Sequence, residues 1–455
     1  MPSAHDPAEP DRHPRDQLRR DLSLTDATML VISSVIGVGI FLTPGTVAAH
    51  VPQPGLFLAV WLIGGLISLA GALTNAELGA MYPHAGGDYV YLREAFHPFA
   101  GFVAGWFTFF AIYTGTVATL ATGFAEGLAS FVQIGPGGKI LVAIALTIFT
   151  SAVNYTGVRP GALFNNVTGA IKLAALAALM IAGPLIGHGD IHHLQPLADA
   201  AGATSVYSFG LALPAVLFTY LGWNASVYVA SEIRDPGRNV PRSLFVGLAV
   251  CTAIYLGLNA VYLYALPVEL LRGELRVGEA AARALFGAAG ALVTATLVLA
   301  SILGCLNANI LIGPRIAYAM ALDGRFFPGV HRVHAAYHTP HVAIVVQAAT
   351  STLLIVMLRS FPSILDYTTF SILLATIADT MALYALRKRE PTRHRPYRAW
   401  GYPVVPGIYL LANGVIVGAL LWGSPKECVI ALAMAATAVP FYFLFSRRLQ
   451  VAGPL

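Results

Sequence analysis

Charge is what this sequence has least of. Only 11% of its 455 residues are Asp, Glu, Lys or Arg, while 57% are hydrophobic. A soluble domain carries about a quarter charged residues, so a water-soluble globular protein is excluded. Cysteine is scarce too. Cys251, Cys305 and Cys428 all fall in apolar runs and none in a candidate outer loop, which argues against a disulfide framework. No G-x-x-x-x-G-K-[ST] loop is present, nor a soluble nucleotide domain, so nothing here supplies ATP. HExxH and GxSxG are missing as well. The apolar runs offer a lone lysine and isolated carboxylates, not a convergent acid, base and metal set, which disfavours a membrane-embedded enzyme. The net charge of +5 is spread between apolar runs and gives no footprint for nucleic acid. His331, His334, His338 and His341 share one loop without cysteine or carboxylate neighbours, so no metal or cofactor is expected.

What is present is apolar length. Mean hydropathy is +0.70, and runs of about 20 apolar residues recur from end to end, enough to cross a bilayer each time. The fold class is an all-α polytopic membrane protein; a β-barrel would show alternating segments of about ten residues. Twelve spans are expected, at roughly 24–50, 54–82, 98–130, 138–157, 161–187, 204–232, 241–266, 286–321, 340–358, 362–387, 403–422 and 426–446. With the N-terminus inside, nineteen of the 27 Lys and Arg fall on the cytosolic side, which supports this count and places both termini in the cytosol. The expected location is therefore the cell (inner or plasma) membrane. Residues 1–22 are polar and contain proline but no apolar core, so they read as a disordered cytosolic tail and not a signal peptide.

Spans 1–5 (residues 23–190) and 6–10 (204–390) each hold an odd number of crossings. The halves then insert in opposite directions, as in an inverted repeat, with spans 11 and 12 (400–448) peripheral. The first span of each half is interrupted. Span 1 carries "GVGIFLTPG", with Gly37, Gly39 and Pro44; span 6 carries "LPAVLFTYLGWN", with Pro214 and Gly222. Paired interruptions in corresponding spans point to a midplane binding site. A broken helix strands amides and carbonyls that cost several kcal/mol each in lipid unless satisfied. Amides at the start of a half-helix suit a carboxylate, and carbonyls at the end of one suit an ammonium. A zwitterionic amino acid offers both. The alternative reading of the glycines is helix packing. Lys172, about ten residues into span 5, is costly at that depth, by at least about 2.5–3.5 kcal/mol. It reads either as a fixed cation bonding the stranded carbonyls of span 1 or as a snorkelling surface lysine.

The stretches "SSVIGVGIFLTPG", "GALTNAELGAMYPHAGGDYVYLREAF", "FNNVTGAIKLAALA", "LFTYLGWNASVYVASEIRDPGRNVPRS" and "NANILIGPRIAYAMALDGRFFP" occur in order over residues 24 to about 420. Together they resemble the amino acid–polyamine–organocation superfamily, and within it a bacterial member of the L-amino acid transporter family. The resemblance implies a LeuT-like fold of ten core helices in a 5+5 inverted repeat, plus two peripheral ones. It implies sodium-independent exchange of L-α-amino acids by alternating access, with a proton-coupled symporter as the alternative and a membrane-embedded sensor a lesser one. By the same resemblance, the amides of Gly37, Val38 and Gly39 take the carboxylate. The carbonyls of Val35, Phe218 and Leu221 take the amino group. Phe218 is the outer gate, Asn224 a polar residue at the span 6 break, and Lys172 stands in for sodium. Val38 and Leu221 are bulkier than the residues relatives often carry there, so small to medium neutral amino acids are expected. The loop "SFVQIGPGGK" lacks the cysteine that links animal members to a glycoprotein subunit, so no such partner is expected; the lipid bilayer is the other partner.

Further charges read more broadly. Glu77, Asp88, Arg93, Glu232, Arg234, Asp235, Arg238, Arg315 and Arg325 suit either a cytosolic charge network or ordinary solvated loops. Asp379 is expected near the inner membrane interface, and Asp366 as a helix cap at the outer end of span 10.

Overall fold

Lipid offers no hydrogen bonds to the backbone, so a chain this apolar has to satisfy its own amides locally. The computed structural model describes residues 18–128, 131–195, 206–274, 276–358 and 361–452. Among these residues the regular elements are helices, apart from one isolated bridge between Leu22 and Ile233. Among the described residues, eleven helices are long and apolar enough to cross a membrane. They correspond to spans 1–8 and 10–12, while the ninth expected span is the shorter apolar helix His341–Met357. Most of the expected tail lies outside the described residues. Its last part is packed: Leu18 and Leu22 are buried, and Leu22 exchanges backbone hydrogen bonds with Glu232 and Arg234.

The expected interruptions appear as breaks. Span 1 begins with the helix Leu24–Val35, whose N-terminus carries a reciprocal capping box between Ser23 and Asp26. It resumes at Gly39–Leu42, and Pro44 opens a further helix, Pro44–His50, at the position where its missing N–H costs nothing. Span 6 is α-helical over Val206–Tyr220 and continues after Asn224 as the tighter 3-10 helix Ala225–Glu232. Two further irregularities were not expected. Span 3 contains a π-helical turn at Thr108–Tyr113, and span 8 runs over Val277–Leu322 with a kink at Gly287. The expected start of span 8 at 286 coincides with that kink.

Polarity is arranged inside out relative to a soluble protein. Leu141 and Phe149 of span 4, Leu163 and Leu185 of span 5, Leu411 and Val415 of span 11 and Val429 and Phe443 of span 12 are exposed. In an aqueous protein such a surface would aggregate; here it faces lipid. Spans 1 and 3 are mostly buried, whereas spans 4, 11 and 12 are mostly exposed. Spans 1 and 3 therefore line the centre of the bundle, with span 6 packed between spans 1 and 2.

One end of the molecule is closed by ion pairs. Arg315 of span 8 makes a two-pronged contact with Glu232 at the end of span 6, at 2.6 and 3.0 Å, with both side chains buried. Glu77 of span 2 accepts from Arg387 at 2.6 and 2.9 Å, from Arg395 at 2.9 Å and from the Ala399 amide at 2.6 Å. Arg93 pairs with Asp323, which also accepts from the Tyr89 hydroxyl. Glu77, Arg93, Glu232 and Arg315 thus belong to networks rather than to solvated loops, although in separate pairs. Asp88 does not join them.

Candidate functional site

The two broken spans meet. Gly222 has φ +97°, a backbone conformation that L side chains rarely adopt, and a Cβ there would lie 2.8 Å from the Ser34 carbonyl oxygen. Glycine is therefore what lets the span 6 turn touch the end of the first helix of span 1. Gly39 serves a second close approach: a Cβ on it would lie 2.8 Å from the Thr219 hydroxyl and 3.0 Å from the Thr219 Cα. The packing reading of Gly39 thus holds. A Cβ on Gly37 would meet only the Cys305 Sγ, at an ordinary 3.6 Å.

A cavity lies at this junction. Val35, Gly37, Val38, Gly39, Phe218, Leu221 and Asn224 all line it. Span 3 adds Tyr113, Thr116 and Thr119; span 8 adds Cys305 and Asn309; span 10 adds Thr368, Thr369 and Thr376. No Asp, Glu, Lys or Arg is among the lining residues. The hydroxyl and amide groups from spans 3, 8 and 10 were not singled out from sequence, because threonine and asparagine inside an apolar run look alike whether they face a cavity or back-bond their own helix.

The backbone groups divide into occupied and open ones. The Gly37 amide donates to the Val35 carbonyl at 2.9 Å, and the Phe41 amide donates to the Val38 carbonyl at 3.1 Å. The amides of Val38 and Gly39 have no acceptor among the described residues. The Val35 carbonyl also accepts from the Tyr255 hydroxyl at 2.9 Å, so both its lone pairs are engaged. The Phe218 carbonyl accepts from the Leu221 amide at 3.1 Å, while the Leu221 carbonyl receives no donor from the described residues. The open groups at the break are therefore two adjacent amides and one carbonyl, a subset of the six expected.

Lys172 lines the back of the break, not the cavity. It is buried, and its ammonium donates to the Ile36 carbonyl and lies 3.5 Å from that of Ser33. The snorkelling reading is excluded by that burial. Ser301 of span 8 donates to the same Ile36 carbonyl at 3.0 Å, and the Cys305 thiol lies 3.5 Å from the Ser34 carbonyl. Spans 5, 7 and 8 thus each send a donor to the last carbonyls of the first helix of span 1. Tyr255 and Ser301 were not legible beforehand; nothing in "CTAIYLGLNA" or "LVLASILGC" marks either side chain as facing a helix end.

The profile of the amino acid permease family matches residues 22–445. The chain belongs to the amino acid permease family. Family membership carries the LeuT-like helical fold. The serine/threonine exchanger SteT of Bacillus subtilis is 31% identical over 435 residues, covering 95% of this chain and 98% of that protein. The large neutral amino acids transporter small subunit 2 of Homo sapiens is 31% identical over 436 residues, 94% of this chain and 80% of its own. The Asc-type amino acid transporter 1 of Mus musculus is 28% identical over 438 residues, with coverage of 94% and 82%. Members of this family and these relatives are transporters, so the chain is a multi-pass membrane transporter and not an enzyme.

Proposed function

We propose that this chain is a sodium-independent antiporter of small neutral L-α-amino acids. The observation that carries the reading is the junction of the two breaks, where the open amides of Val38 and Gly39 and the open carbonyl of Leu221 line one cavity. An α-carboxylate seated on those amides and an α-ammonium on that carbonyl would complete the backbone groups left open. The lining suits a neutral substrate, since a charged side chain would be desolvated there without a partner. Thr116, Thr119, Thr368 and Asn309 suit a small hydroxylated side chain such as that of serine or threonine. Val38 and Leu221 limit its size, and Phe218 serves as the outer gate.

Lys172 stands in for sodium by bonding the Ile36 carbonyl with a covalently attached cation. The two halves act as inverted repeats that rock about the fixed breaks, with both termini in the cytosol and Glu232–Arg315 among the contacts that form and part. A disulfide-linked subunit is not required: all three cysteines are buried, so none is placed to bond an outer partner. Reconstituted vesicles test the reading. Labelled serine should enter vesicles preloaded with serine and be excluded from empty ones, whereas proton-driven uptake into empty vesicles would favour the symporter.

A further inference from the structure

Beneath the substrate cavity lies a second polar cluster that exchange chemistry does not use. Asp88 follows the glycine pair after span 2, and Asp379 lies in span 10, three residues beyond the cavity-lining Thr376. Both are buried, Asp88 to 1% exposure and Asp379 to 0%. Asp379 was expected toward the inner end of span 10; it is enclosed there, where span 10 packs against the helix Asp88–Ala95 and the two carboxyl groups act on each other.

The surroundings are polar and uncharged. Asp88 accepts from Thr108 of the π-helical turn at 3.0 Å and from the Tyr228 hydroxyl at 2.8 and 2.9 Å. Tyr113 stacks edge-on against Tyr228 at 5.3 Å. Asn75 of span 2, Tyr91 and Tyr409 of span 11 surround the pair. Neither Asp379 oxygen receives a well-aligned hydrogen bond from a described residue, and Asn75 Oδ1 and the Tyr91 hydroxyl are likewise buried without a partner. Among the described residues, the charged group acting on Asp379 is Asp88. The nearby Glu77 is taken by Arg387 and Arg395. Two buried carboxyl groups with no basic side chain acting on them hold a shared proton more readily than they ionise together.

We propose that Asp88 and Asp379 form a proton-binding site that holds one proton between two carboxyl groups and reports its occupancy to the substrate cavity. The route is short. Tyr228 donates to Asp88, and Asn224, which lines the cavity, donates to the Tyr228 hydroxyl at 3.1 Å. Burial also pushes the Asp88 carboxyl above its ordinary value. When the proton leaves to water, the paired charges repel, and span 10 carries Thr368, Thr369 and Thr376 away from the cavity. Substrate affinity then falls as pH rises. The link to affinity rests on reading that cavity as the substrate site; the proton site does not.

The test uses the purified full-length protein in sodium-free buffer. Infrared difference spectra read the C=O stretch of a protonated carboxyl group, and labelled serine reads affinity against pH. A protonated-carboxyl band should be present in the wild type at neutral pH, and its position and titration should change in Asp379→Asn and, as an independent variant, in Asp88→Asn. Wild-type serine affinity should fall at least about 5-fold as the band titrates away, the low end of ordinary coupling between sites. Tyr228→Phe should keep the band and flatten the affinity profile. Absence of the band, an unchanged band position and titration in both Asp variants, or its displacement on adding sodium would overturn the proton site. A band that titrates without any change in serine affinity would overturn the link. If the wild type bound no amino acid, the substrate reading would fall and the link with it, while the band would still decide the proton site.

Discussion

The Tyr255 hydroxyl of span 7 lies 2.9 Å from the Val35 carbonyl and donates to it. The same oxygen sits 3.0 Å from the Thr219 carbonyl, so one side chain ties the cut end of span 1 to that of span 6. Tyr255→Phe removes the tie and strands a buried carbonyl, at a cost of about 1–3 kcal/mol. The expected outcome is a roughly 10-fold loss of transport with the protein still inserted, measured by uptake normalised to surface expression.

Lys172→Ala leaves the Ile36 carbonyl with Ser301 alone. Hydrogen bonds to charged groups contribute about 1.5–3 kcal/mol, so exchange should fall by at least about 10-fold while expression stays largely intact. Uptake at the wild-type rate would remove Lys172 from the mechanism.

The two glycines of span 1 separate packing from binding. Gly39→Ala drives a Cβ against the Thr219 backbone and should lower thermal stability by about 1–3 kcal/mol, as overpacking does. Gly37→Ala meets only the Cys305 Sγ, at an ordinary 3.6 Å, and should leave the melting temperature nearly unchanged. Equal melting losses in the two variants would contradict the close approach of span 1 to span 6.

How far these features could be read in advance depends on their range. The spans were legible because lipid demands an apolar run each time the chain crosses. The breaks were legible because Gly37, Gly39 and Gly222 are local anomalies in such runs. What satisfies the breaks was not. Tyr255 reaches Val35 across 220 positions and Ser301 reaches Ile36 across 265. Asp88 and Asp379 are each a single acid in sequence and become a pair only where the helix Asp88–Ala95 packs against span 10.

Leu221→Gly enlarges the cavity beside Phe218. Uptake of larger neutral amino acids such as leucine or phenylalanine should rise relative to serine. An unchanged ranking in a competition assay would show that Leu221 does not set substrate size.

The Glu232–Arg315 pair is fully buried. Breaking such a pair from one side leaves an uncompensated charge and costs about 3–5 kcal/mol. Glu232→Gln should therefore lower the melting temperature sharply in detergent, and more than Arg159→Gln, whose partner Asp21 contacts it at an exposed site.

The pH dependence of stability has a definite sign. Burial raises the Asp88 carboxyl above its ordinary value, so the folded protein keeps a proton that the unfolded chain has already released. Stability falls as pH climbs from the ordinary carboxylate range through the folded-state value. Asp88→Asn takes the Asp88 share out of that dependence, and the melting curves of variant and wild type should diverge as pH rises.

Counterflow in proteoliposomes tests sodium-independent exchange most directly. Labelled serine is offered outside vesicles that are preloaded with unlabelled serine or empty, in sodium and in choline buffer. Accumulation should occur only in preloaded vesicles and be equal in the two buffers. Uptake into empty vesicles at the same rate, or a steep dependence on sodium, would contradict it.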